Sequence, residues 1–548
     1  MSVRFARVSA DFAESSRWVW AVLGFRAWEP KGVSYLIRLV DGSVGGTARM
    51  RAPRARDGAG EAIPRMRDRI ADLLAREPFV LLVLALDALV VTFRLPDFVA
   101  SDTWLALVSG RDVSRGWIPR HETLTVWSHG RTWVDQQWLG QLSMYGVHAA
   151  GGLRLLLLVH GAMLAGAFAL ALAFARRSGG SSRSVALVGI VAFFVALPNS
   201  AVRTQVFAYP LFVLVFWLLA SQARSPSRRV LLVVPLLVLW ANIHGSAVLG
   251  AGLVILWAFA EIVRAGRRAV FWRFRLRAAA FAAAAPLCLL VSPYGLALPG
   301  YYHDVLGSGA FRDIVSEWHA TTFPEQWPFF VLALGALWLV ARKPRRLSLF
   351  EHLALVATLV ASFDAIRNIA WFALVALMVA PRALDELWPT GEAPLRRRVN
   401  LSLSLGALAV CVGAFGVATA RPAGWVGRNY PAQAAVDAVA VAAKHDPALL
   451  VFSNERYADW LLWKLPSLRG RVAFDARFEL LTNDQLQAIS RFRNQSSAHW
   501  IASADGYRLL VLDPRDEEPA VSAVLREPGT KQLYRDRRIA VLLRSSDR

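Results

Sequence analysis

SDTWLALVSGRDVSRGWIPRHETLTVWSHGRTWVDQQWLGQ, residues 101–141, follows the first strongly apolar run of the chain and is too polar to enter a bilayer. Within it Asp102, Arg111, Glu122 and Asp135 are interleaved with Trp104, Trp117, Trp127, Trp133 and Trp138. Indole faces offer flat apolar contact, while carboxylates accept hydrogen bonds from hydroxyl groups or take a proton from them. The mixture suits a site that handles a polar, ring-shaped substrate at a membrane surface. The competing reading is an interfacial loop, with Trp anchored at headgroup depth and the charges solvated.

The sequence on either side sets the class. The 548 residues are 55% hydrophobic and only 19% charged, with mean hydropathy +0.39, and the charges gather between long apolar runs. This is the pattern of an α-helical polytopic membrane protein. Apolar runs at 78–96, 153–175, 184–199, 203–221, 229–243, 246–264, 277–292, 327–342, 347–364, 366–384 and 400–420 predict about eleven transmembrane helices. A net charge of +22 would also suit a nucleic-acid partner, but its distribution argues against one. Arg176, Arg177, Arg183, Arg224, Arg228, Arg229, Arg264, Arg342 and Arg346 fall in loops on one side, whereas the short loops opposite carry little beyond Arg203 and Arg367. That bias places the basic loops and the N-terminus in the cytoplasm, and an odd number of spans then puts the C-terminus outside. Both cysteines, Cys288 and Cys411, lie inside apolar runs, so neither a disulfide framework nor a Cys/His metal cluster is expected.

Three regions follow. Residues 1–77 hold 14 Lys/Arg against 9 Asp/Glu and no run of spanning length, and read as a basic, disordered cytoplasmic extension with room for one amphipathic helix. Residues 78–420 form the membrane region, with 97–150 as its first outer loop. Residues 421–548 read as a small extracytoplasmic α/β domain. Its strands are predicted at 449–453, 472–474, 509–512 and 540–543, and its helices at 432–444 and 482–494. It contains no Gly-rich phosphate loop. Asn454, Glu455, Tyr457, Asp459, Trp460, Asp475 and Arg477 are its candidates for contact, set against the plainer reading that they cap helices and face solvent.

Polar residues recur at the outer ends of the predicted spans: Asp102, Arg203 with Gln205, Asn242 with His244, Tyr294, Glu317 with Trp318, and Asp364 with Arg367 and Asn368. Polar groups at membrane depth are costly, so they pair with one another or line a water-filled cavity. Repetition over several connections favours a single outward-facing polar cavity over isolated helix-end pairs.

The pattern DTWLALVSGR–GWIP–QWLG resembles the first outer loop of bacterial membrane proteins related to the GT-C glycosyltransferases. WANIHGS (240–246), SPYG (292–295), SEW (316–318), RNIAWFAL (367–374), ERYADWLLWKLP (455–466) and FDAR (474–477) are similar to later landmarks of that group. The resemblance covers most of residues 78–548. It implies an enzyme of the bacterial cytoplasmic membrane that moves a sugar from a polyprenyl-phosphate donor to a glycan, lipid or protein acceptor at the outer face. It further implies Asp102 as the base; Glu122 and Asp135, the other carboxylates singled out in the same loop, stand in reserve. Trp104, Arg111, Gln137, Trp138, Arg203, Asn242, His244, Tyr294, Glu317, Arg367 and Asn368 then serve substrate binding, the two arginines facing the lipid phosphate. Two positions depart from the pattern: Thr103 follows a lone Asp102, and Gln137 stands where an acidic residue is frequent. No metal ligand set is assigned, although a divalent ion is compatible with such a site. The competing classes are a lipid transporter or flippase, which would show internal repeats and charges in mid-span, and a non-catalytic envelope-assembly subunit.

Overall fold

A computed structural model describes residues 59–266, 272–307, 314–389, 396–497 and 499–545. The expectation of disorder over residues 1–58 lies outside the described residues. Residues 59–76 form an amphipathic helix, for which the sequence of the extension left room: α1 (Ala59–Arg76) lies along the last long helix, where Ser404 and Asn400 donate to the carbonyls of Leu74 and Ala75.

The membrane region comprises α2 (Pro78–Arg94), α3 (Ser101–Ser114), α4 (Trp138–Arg177), α5 (Ser182–Ala196), α6 (Gln205–Arg224), α7 (Val233–Ile243), α8 (Ala247–Ala265), α9 (Trp272–Leu289), α10 (Leu298–Gly307), α11 (Trp327–Arg342), α12 (Leu349–Asp364), α13 (Ile369–Leu387) and α14 (Arg397–Ala420). Every apolar run read from the sequence is largely helical, and among the described residues seven helices are long and apolar enough to cross a membrane: α2, α4, α5, α6, α8, α13 and α14, several extended by a 3₁₀ turn. The count of about eleven is not confirmed by that measure. α7, α11 and α12 have 11, 16 and 16 residues, and α9 opens with Arg273, Arg275 and Arg277.

α13 is the central pillar. Over residues 369–381 it is apolar around its whole circumference, and every residue from Ile369 to Ala383 is buried, Arg382 by pairing with Glu351, as expected of a helix surrounded by others. Its Trp371 packs against Tyr209 and Phe212 of α6, with ring centroids 4.8 and 5.0 Å away. α3 does not cross. It lies beside the start of α4, where a β-carbon on Gly110 would collide with the carbonyl of Gln141.

The C-terminal unit contains α15 (Gln433–His445), β1 (Val451–Ser453), α16 (Glu455–Lys464), α17 (Asn483–Asn494), β2 (Leu509–Leu512), α18 (Pro514–Leu525), β3 (Lys531–Arg535) and β4 (Ala540–Leu543). The sheet order is β1-β2-β4-β3, with β1–β2 parallel and the other pairs antiparallel. Two expectations change. Residues 472–474 make only isolated bridges through Val472, and the strand 531–535 escaped detection because its Lys, Gln and Arg face outward on an edge.

Val472 bridges in two directions, to Val451 of the sheet and to Thr125 of the outer loop. Val126 and Trp127 donate to the carbonyls of Val472 and Ala473 (2.8 and 3.0 Å), and Gly470 donates to Leu124 (2.8 Å). The loop is thus stitched onto the C-terminal unit, and Trp127 packs into that unit's core at 5.1 Å from Phe474. Glu122 sits at the centre of this seam, fully buried. Its carboxylate accepts from the Leu124 and Thr125 amides and from Arg477 (2.5 Å), which also pairs with Asp475 and stacks at 4.3 Å on Trp133. Glu122→Gln would leave a buried guanidinium short of charge, and breaking such a pair costs roughly 3–5 kcal/mol. The variant is expected to melt several degrees below wild type in detergent at pH 7. An unchanged melting temperature would show that the seam does not depend on this pair.

Candidate active site

The site begins with two short backbone ties. Val202 donates to Phe98 (2.7 Å), and the Thr103 hydroxyl, which also accepts from the Ala100 amide, donates to the Val202 carbonyl (2.6 Å). These bonds hold the first turn of α3 against the segment before α6 and so place Asp102 beside Arg203. Arg203 Nη1 lies 3.5 Å from Asp102 Oδ2 and 2.5–2.7 Å from both oxygens of Glu317. Just before α13, Arg367 stacks at 4.6 Å on Trp318, the neighbour of Glu317.

These groups line a cavity of about 500 Å³ where the helix ends meet the C-terminal unit, within the size range of small-molecule sites. Asp102, Gln137, Arg203, His244, Glu317, Arg367 and Asn368 are brought together there. From the C-terminal side come Glu455, Arg477, Glu479 and Arg493. Tyr301, Tyr302, Glu479 and Arg493 were not singled out in the sequence. The tyrosines lie on a short helix without a clear apolar period, so only the contrast of a Tyr pair in a polar connection could have drawn attention to them.

The remaining candidates serve other ends. Trp138 donates to Asn242 (2.8 Å), whose amide donates to the carbonyls of Val238 and Val291, so both knit helix ends together. Tyr294 donates to the Pro119 carbonyl (2.8 Å) and secures the outer loop. Arg111 lies over Trp463 at 5.0 Å, and Trp104 faces a different cavity. Glu122 is in the seam. Asp135 lines only a small adjoining recess with Glu479 and Tyr301 and accepts from Gln141 (2.9 Å).

Charge in the cavity is set by shared pairs. The Asp102 side chain is 41% accessible but opens only onto the cavity. That enclosure raises its pKa, and Arg203 opposes the rise. Burial would also raise Glu317, but Arg203 and then Arg367 outweigh it and hold its carboxyl below the usual range. His244 Nδ1 accepts from the Ser246 amide (3.1 Å), which leaves the proton on Nε2. Burial, Arg367 and Arg203 keep the ring neutral. Arg493 pairs with Glu455 at 2.6 Å. Among the described residues no group of three His, Cys, Asp or Glu could hold a metal ion. The two nearest carboxylates converge on Arg203 instead.

No protein-family model matches the sequence, and no curated protein does. Solved structures do. The archaeal oligosaccharyltransferase AglB from Archaeoglobus fulgidus, in complex with an inhibitory peptide and a dolichol-phosphate, aligns at TM-score 0.50 and 12% identity, covering 79% of this chain and 69% of that one. The same oligosaccharyltransferase in complex with Zn and sulfate gives 0.48 at 13% identity, over 82% of this chain and 70% of its own. ArnT from Cupriavidus metallidurans in the apo state gives 0.47 at 15% identity, over 84% of this chain and 97% of its own. The AglB likeness bears out the GT-C-like fold expected from the sequence.

Asp135 supplies a test with a definite sign. Burial, opposed by Arg477, raises its carboxyl to about 7, whereas an unfolded Asp titrates near ~3.9. Between those values the folded chain holds a proton that the unfolded chain has lost, so this group lowers stability as pH climbs from about 4 to about 7. Asp135→Asn should therefore raise the melting temperature at pH 8 and leave it nearly unchanged at pH 4. A variant less stable than wild type at pH 8 would show that the ionised carboxylate is needed in the recess.

Proposed function

We propose that this chain is a membrane glycosyltransferase that transfers a sugar from a polyprenyl-phosphate donor to an acceptor hydroxyl at the outer face of a bacterial cytoplasmic membrane. The observation that carries the reading is the cavity in which Asp102, Arg203, Glu317 and Arg367 converge at the outer helix ends. Asp102 is the base. Its burial raises its basicity, and Arg203 opposes the rise. It takes the acceptor hydroxyl proton as the acceptor oxygen bonds to the anomeric carbon. The bond from that carbon to the phosphate oxygen breaks on the opposite face, its electron pair leaves with the lipid phosphate, and the configuration inverts.

The departing phosphate needs cations and donors. Arg203 is already engaged by Glu317 and Asp102, so its part is to hold the two carboxylates together. Arg367 is the better phosphate ligand, because stacking on Trp318 occupies the face of the guanidinium and not its in-plane donors. Nε2–H of neutral His244 can donate alongside it.

With purified protein and a panel of polyprenyl-phosphate sugars, Asp102→Asn should lower turnover about 10²–10⁴-fold with little change in melting temperature. Arg367→Lys should weaken donor use more than it affects folding. Near-normal turnover in folded Asp102→Asn would remove Asp102 as the base, and wild-type protein that neither binds nor consumes such donors would overturn the reading.

The orientation follows from the arginine-rich loops. A single cysteine at Ser227 should resist a membrane-impermeant thiol reagent in intact cells, and one at Ser497 should label. The reverse pattern would place the cavity in the cytoplasm.

A further inference from the structure

Several carboxylates lining the transfer cavity are already engaged. Asp102 and Glu317 share Arg203, and Glu455 holds Arg493 at 2.6 Å. Glu479 is not: among the described residues no other side chain donates to its carboxylate, and the residue is only half-buried on the cavity wall. Its neighbours aim it there. In the turn Phe478–Leu480, Phe478 enters the core of the C-terminal unit, and the Leu480 carbonyl accepts from Arg131 (2.5 Å). Glu479, between them, is left to the cavity. Burial raises its carboxyl to about 7, with its own amide and Arg477 opposing the rise. A carboxylate kept from water without donors is costly, so this position calls for a ligand that donates.

Tyr301 of α10 lines the same cavity, and both residues also border the recess of Asp135. The Tyr301 oxygen accepts from the Gln136 amide (3.5 Å), which leaves its hydroxyl proton for another acceptor. Tyr301 and Glu479 feel one another's charge, yet no hydrogen bond joins them. A carboxylate that only accepts and a phenol that can donate are both satisfied by a ligand bearing hydroxyl groups. The Tyr301 ring adds a flat apolar face against which the C–H side of a ring can lie.

Position decides which hydroxyls these are. Asp102 adds to the raised pKa of Glu479, and Tyr301 is within electrostatic reach of Arg367. The two residues therefore flank the space between the base and the phosphate ligand. The group held in that space during transfer is the sugar, bonded to phosphate on one side and attacked on the other.

We propose that Glu479 and Tyr301 recognise hydroxyl groups of the donor sugar, Glu479 by accepting and Tyr301 by donating. The inference rests on the transfer reading and adds to it the residues that select the sugar. Its test is binding without turnover, on the full-length protein in nanodiscs at pH 8 with no acceptor present. The probes are a panel of undecaprenyl-phosphate hexoses and pentoses, and undecaprenyl phosphate alone. Wild type should bind its best glycosylated lipid more tightly than the bare one. Glu479→Gln should shrink that preference about tenfold and Tyr301→Phe several-fold, both with unchanged affinity for the bare lipid. Arg367→Lys, by contrast, should weaken both lipids alike. Glu479→Gln should not lower the melting temperature, because the carboxylate has no partner to lose. Equal affinity of wild type for the two lipids, or a wild-type preference in both variants, would overturn the proposal and leave the transfer reading standing. So would an equal loss for both lipids in Glu479→Gln, which would make its role structural. Wild type that binds neither lipid would overturn the transfer reading and this inference with it.

Discussion

Arg477 reaches out of the C-terminal unit and is met by Glu122 and Asp475 on one side and by the Trp133 ring on the other. All four residues are buried, and the guanidinium keeps its charge because two carboxylates face it. A buried charge of this kind tolerates no loose docking: if the loop slid by one residue, Arg477 and Glu122 would lose one another and the cost would be large. The main-chain bonds from Val126, Trp127 and Gly470 fix the same register. The cavity lies just beyond this seam and takes part of its wall from it, since Arg477 and Glu479 line the cavity as well. A long outer loop thereby becomes a rigid wall.

Inside the cavity the balance is different. Arg203 is shared between Asp102 and Glu317, with the shorter contacts to Glu317. The carboxylate with the weaker hold on a cation is the more basic one, which is why two acids on a single arginine can have opposite pKa directions. Thr103 matters for the same reason. Its hydroxyl bridges Ala100 and Val202 and thereby sets the distance between Asp102 and Arg203. A second carboxylate at that position could not have made this tie in its charged form, because it has no proton to donate to a carbonyl.

Much of this was legible in the sequence, for physical reasons that also mark where legibility stops. Apolar runs and basic loops report burial and topology directly, so helices appeared where they were expected. Spanning length did not carry over as well, because α7, α11 and α12 are short helices packed among longer ones. Polar residues at helix ends reported that something polar lay at that level. They could not report whether the partner was solvent or protein. Asp102, His244 and Arg367 face the cavity, whereas Asn242, Trp138 and Tyr294 satisfy buried carbonyls or one another. Residue type is the same in both cases, and only the fold separates them. The pairing of Glu122 with Arg477 spans 355 positions and leaves no local trace.

That separation along the chain has a consequence for the order in which the protein is made. The cavity wall runs from Ala100 to Arg493, and the seam joins a loop near the beginning to a segment near the end. While ribosomes are still adding the second half, Glu122 has no cation to meet, and the pocket lacks Glu455, Arg477, Glu479 and Arg493. A nascent chain therefore cannot assemble a working site ahead of its last soluble stretch, however many helices have already entered the bilayer. Truncated products would lack that wall, and the cavity would be completed in one step, late in biogenesis.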